Sequence, residues 1–160
     1  MVAEILVVGE ALVDIVANGD GPAEEHPGGS PANVALGLAR LGRPTALLTR
    51  IGDDPRGRTV RRHLEADGVR LVEGSITGDP TSTAQATVDP LGVASYRFDL
   101  RWELPPGAGT GDARALHTGS IAAFLPPGGD ALLELVERVR GDVVVSYDPN
   151  ARPQLMGAPA

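Results

Sequence analysis

A chain of 160 residues with 42% hydrophobic and 22% charged side chains has the make-up of one soluble globular domain with its own core, which sets aside disordered and fibrous classes. Its 14 basic against 21 acidic residues give a net charge of -7, which disfavours nucleic acid or an anionic membrane surface as a partner. The absence of cysteine rules out disulfides and thiolate chemistry, and 21 glycines with 14 prolines indicate many short connections.

The first residues, "MVAEILVVGEALVD", lack the basic segment of a signal peptide, and no apolar run reaches the ~20 residues of a membrane span, so a cytoplasmic protein is expected. Glu4 to Val8 is a short β-branched run ended by Gly9, which suits a strand buried on both faces. Ala11 to Ala17 is apolar except for Asp14. "GGSPANVALGLARLG", Gly28 to Gly42, predicts a helix from about Pro31 to Leu41, with Ser30 as N-cap, Pro31 in the first turn and Gly42 as the left-handed stop. Val34, Leu38 and Leu41 have the spacing of its buried stripe. Thr45 to Arg50 reads as a strand, and Asp54-Pro55 opens a second helix that carries Val60 and Leu64 inward and stops at Gly68.

Alternation on either side of "DPLG" predicts a hairpin over Thr83 to Phe98, one face of which (Thr83, Gln85, Thr87) is polar enough to stay wet or to cover a ligand. Ala115 to Ile121 returns to strand character, and a helix with Leu132, Val136 and Val139 in register follows over Ala131 to Arg140. Val143 to Tyr147 reads as a strand of the doubly covered kind. Strands alternating with helices in this order predict an α/β domain with a mostly parallel sheet, and no linker divides it in two.

Several residues invite a chemical reading. The glycine pair Gly28-Gly29 and Asn33 stand at a helix mouth, where bare main chain and an amide could hold a neutral polyhydroxy ligand; a tight turn with a cap and no ligand is the equal alternative. Asp14 either points to solvent or meets a ligand, because an uncompensated carboxylate is costly to bury. His26, His63 and His117 are too scattered for a metal site, and neither a Walker-type phosphate loop nor a G-x-G-x-x-G fingerprint is present. "GAGTGD", Gly107 to Asp112, has no strand before it and reads as a connector. "DPNARP", Asp148 to Pro153, follows the last strand, which places Asn150 and Arg152 near any ligand site, or else is only a Pro-rich turn.

Taken together, "GEALVDIV" (Gly9 to Val16), "GGSPANVALGLARLG", "TRIGDDPRG" (Thr49 to Gly57), "LHTGSIA" (Leu116 to Ala122) and "YDPNARP" (Tyr147 to Pro153) resemble the ribokinase-like, or PfkB-type, carbohydrate kinases, and more closely their fructokinase branch. The resemblance implies a doubly wound sheet with a small β-lid formed by about 11–18 and 83–99. It implies that Asp14, Gly28, Gly29 and Asn33 meet the sugar, that Arg97 closes over it from the lid, and that Asn150 and Arg152 lie near the substrate or the transferred phosphate. The activity implied is ATP-dependent phosphorylation of a sugar hydroxyl, with fructose the leading substrate and lid-to-lid dimers as one mode of assembly. Members of the family carry a later D-T-x-G-A-G-D motif, whose last aspartate is the general base, and residues for ATP and magnesium. These are not in the 160 residues. The chain is therefore expected to be about the first half of such a kinase, inactive alone, with a non-catalytic sugar-binding module as the alternative and exposed apolar surface at its last strand favouring association.

Overall fold

The computed structural model describes residues 4–18, 22–88 and 94–151. In chain order the elements are β1 (Ile5–Val8), β2 (Leu12–Asn18), β3 (Glu24–Gly28), α1 (Ser30–Arg40), β4 (Thr45–Leu48), β5 (Ile51–Gly52) and α2 (Pro55–Ala66). There follow β6 (Arg70–Leu71), β7 (Ile76–Thr77), β8 (Thr83–Val88), β9 (Ala94–Asp99), β10 (Ala115–Gly119), a 3-10 turn (Ser120–Ala123), α3 (Gly128–Val139) and β11 (Val144–Asp148).

Five strands form a parallel sheet in the order β11-β10-β1-β4-β6. Alternation along its central strands divides the core into two layers. Val7 and Leu47 face α1 and α2 and pack with Ala35, Val60 and Leu64, whereas Leu6, Val8, Ala46 and Leu48 face α3 and pack with Leu132, Leu135 and Trp102. Strands covered on both sides explain the unbroken apolar runs of β1 and β4. A smaller sheet, β3-β2-β8-β9, stands beside this one, with β8 and β9 as an antiparallel pair.

Three local expectations change in the folded chain. The α1 cap is Gly29, not Ser30: its φ of 106° turns the chain into the helix, and its carbonyl accepts the Asn33 N–H at 2.9 Å. The buried face of α1 is Pro31, Ala32, Ala35 and Leu36, while Val34 and Leu38 are half-buried and Leu41 is 80% exposed. Small alanines let the helix lie close on the sheet, which rotates the expected stripe to the margin of the contact. β11 is likewise the outermost strand and not a doubly covered one, so Val144 is 71% and Tyr147 51% exposed.

Candidate functional site

From β1 the sheet grows through β4 to β6, and the chain then returns past β1 to add β10 and β11 on the other side. In open α/β sheets, ligands bind beyond the carboxyl ends of the strands at such a reversal. Glu10 lies there, just past β1, and is 6% exposed. Its carboxylate accepts the Ala122 N–H at 3.0 Å and stands beside the Ser120 hydroxyl and the Ser30 N–H at the start of α1. Burial pushes the Glu10 carboxyl above its ordinary range, and these polar neighbours only partly offset that push.

Ser120 is held at φ 57°, a left-handed conformation uncommon outside glycine. Asn150 Nδ2 donates to its Oγ at 3.5 Å, and the Asn150 N–H donates to Asp148 Oδ1 at 3.1 Å, which folds the Asp148-Pro149-Asn150 turn back over the end of β11. Thr118 Oγ1 donates to the Val8 carbonyl at 2.8 Å and ties β10 to β1 just below. Polar contacts thus run from the end of β11, through Ser120 and Glu10, to the mouth of α1.

The same mouth holds the glycine pair. Gly28 is the cross-strand partner of Leu12, and the place where its Cβ would stand is taken by Asp14, whose Oδ2 an added methyl would overlap. At Gly29 a Cβ would lie 2.5 Å from the Glu10 carbonyl oxygen. Within the chain, what comes close to the pair is Asp14 and Glu10, and the two glycines seat those residues. Asn33 is exposed one turn further along α1. Asp14, Gly28, Gly29 and Asn33 are therefore gathered at one helix entry, and Asn150 is linked to it through Ser120 and Glu10.

Arg97 is not brought to that place. Cross-strand partners share a face, so Asp14, His26, Ala84 and Phe98 line one side of the smaller sheet while Ile15, Glu25, Gln85 and Arg97 line the other. Ile15 packs toward α2, and Arg56 of α2 makes a two-pronged ion pair with Glu25, which fixes that side toward the helix. A one-residue step along the strand decides the face, and sequence alternation alone does not say which face looks inward. Arg152 lies outside the described residues.

Glu10 and Ser120 are site residues that the sequence reading passed over. The available signal was an acidic side chain placed directly after a wholly buried strand. The Gly107–Asp112 loop leads into β10 with no helix behind it. A cavity of about 470 Å³ between this loop and α3, lined by Leu104, Ala108, Glu134, Leu135 and Arg138 among others, contains none of the predicted residues. No group of three or more His, Asp or Glu fit to hold a metal ion occurs among the described residues, and no helix there is long and apolar enough to cross a membrane.

Comparison with known proteins agrees with this fold. The family model for "pfkB family carbohydrate kinase" matches residues 2–156. A fructokinase of Klebsiella pneumoniae is 36% identical over 172 aligned positions that cover 99% of this chain and 54% of that protein. Among solved structures, a double-mutant fructokinase of Vibrio cholerae O395 in its fructose-, ADP- and potassium-bound form is 28% identical, with a TM-score of 0.75 over 98% of this chain and 53% of that one. The ATP-bound fructokinase of Xylella fastidiosa is 25% identical, with a TM-score of 0.77 over 98% of this chain and 55% of its own. The chain spans about half the length of the curated relatives it matches.

Proposed function

Because the chain belongs to the pfkB family of carbohydrate kinases, we propose that it supplies the sugar-binding part of an ATP-dependent kinase that phosphorylates a carbohydrate hydroxyl, fructose being the leading substrate. The observation that carries this is the Asp14 carboxylate seated over Gly28 at the entry of the helix that presents Asn33. A carboxylate accepts from hydroxyls, and an amide both donates and accepts, so the two together suit a polyhydroxy ligand better than an anion or an apolar one. The smaller sheet acts as a lid over this entry through its Asp14 face, and Asn150 stands on the side of the transferred phosphate, to which the resemblance also assigns Arg152.

ATP, when bound, supplies the phosphoryl group. The Gly107–Asp112 loop lacks the helix dipole a phosphate cradle needs, and the described residues gather no acidic cluster for magnesium, so neither group fits these residues and no step is assigned through them. A second reading is sugar binding without turnover: the groups gathered at the α1 mouth suit hydroxyls, whereas phosphoryl transfer depends on positioned charge and a base.

Calorimetric titration of the 160-residue chain with fructose tests both. Binding is expected, weakened about tenfold or more in Asp14→Ala and in Asn33→Ala, since each removes hydrogen bonds to the ligand. If no ketose or aldose binds, the proposal fails. An ADP-release assay with fructose and ATP then separates the two readings, turnover favouring the kinase and binding without turnover the module.

A further inference from the structure

We infer that Glu10 is a positioning residue, a buried carboxylate that fixes the α1 mouth, with its sugar-facing Asp14 and Asn33, against the β10 and β11 ends that carry Asn150. The inference rests on the proposed sugar site and goes beyond it, because Glu10 is buried and is not among the groups assigned to the sugar. Its side chain accepts the Ala122 N–H at 3.0 Å and stands beside the Ser120 hydroxyl beyond β10 and the Ser30 N–H at the head of α1, so it meets two separate loops. Its main chain is engaged on the same side, since Gly29 lacks a Cβ where the Glu10 carbonyl passes.

A residue at 6% exposure that merely filled space would be apolar, because a buried carboxylate costs free energy unless it is hydrogen-bonded. Glu10 is placed so that its removal frees the Ala122 N–H and leaves a gap beside Ser120, whose left-handed backbone needs outside support and whose hydroxyl meets Asn150. The expected consequence of losing the carboxylate is that the α1 mouth and the Asp148–Asn150 turn drift relative to each other. Ligand groups held in place by supporting hydrogen bonds lose function when those supports go, even though no ligand contact is deleted.

The test uses Glu10→Ala together with the isosteric Glu10→Gln, which keeps one acceptor oxygen and the side-chain volume. In the folded variants, amide hydrogen exchange at Ser30 and Ala122 and the side-chain amide resonances of Asn33 and Asn150 are read by NMR, and fructose affinity by calorimetry. In Glu10→Ala the two backbone amides are expected to lose protection, both asparagine resonances to shift, and fructose affinity to fall at least about tenfold, with Glu10→Gln intermediate. Unmoved asparagine resonances overturn the inference, as does unchanged fructose affinity in a variant that is merely less stable. Should Glu10→Ala not fold, Glu10→Gln carries the same readouts. Should the unmodified chain bind no fructose, the proposed function fails and the resonances alone decide the role of Glu10.

Discussion

Two adjacent glycines do different work, and substitution separates them. The methyl of Gly28→Ala would meet the far end of a flexible side chain, Asp14 Oδ2, which can swing aside. The methyl of Gly29→Ala would stand 2.5 Å from the Glu10 carbonyl and 3.0 Å from the Ala11 Cα, both main chain, on a backbone held at φ 106°. Gly29→Ala is therefore expected to lower stability by about 2 kcal/mol or more, from strain and overpacking together. Gly28→Ala is expected to keep most of its stability and lose fructose affinity instead, because the displaced carboxylate is the proposed sugar contact. Denaturant melts paired with calorimetry check this, and equal loss of stability in the two variants would contradict it. The sequence pointed to the pair, yet the identity of its neighbours lies in residues up to 19 positions away along the chain.

At the scale of elements, α2 shows local chemistry read correctly and a tertiary use added to it. Asp54 caps the helix by accepting the Gly57 N–H at 2.7 Å, and it also accepts the Thr81 N–H and Oγ1, each at 2.8 Å, which joins the helix start to the loop that leads into β8. Burial pushes its carboxyl up, but these hydrogen bonds outweigh burial and hold it below the ordinary range. A depressed folded value means stability that is present at neutral pH and lost as pH falls through that value, below about pH 4. Asp54→Ala is expected to cost about 2 kcal/mol at pH 7 and less in acid, where the native carboxyl is itself protonated. Urea melts at pH 7 and pH 3 measure the difference, and a penalty independent of pH would exclude the ionised cap as its source. The α1 stripe was misread for the opposite reason: periodicity finds an apolar face, but the angle at which that face meets the sheet is set by the small residues in contact.

The whole molecule ends its sheet in an uncovered strand. β11 has Val144 and Tyr147 exposed, and no strand pairs with its outer edge among the described residues. Unpaired edges with apolar side chains recruit other chains, and a lysine on the edge opposes this. Multi-angle light scattering is expected to show an average mass that rises with concentration, and Val144→Lys is expected to suppress the rise. A monomer across the whole range would refute association through this edge. The parallel α/β architecture itself was legible from the alternation of β-branched runs with capped helices. The bare β11 was expected only from the family resemblance, because an apolar run by itself looks the same whether the sheet covers it or leaves it at the margin.

What the amino-acid sequence determined by itself was set by forces acting over a few residues: strand and helix rhythm, the Asp54 cap, the stops at Gly42 and Gly68, and the motifs that carry the family. What only the tertiary structure decided was which distant groups meet. Glu10 and Ala122 are separated by 112 positions, so their hydrogen bond exists only once β1 and β10 have paired. The same holds for the face Arg97 occupies, which follows from strand register, a property of the assembled sheet that no single strand contains.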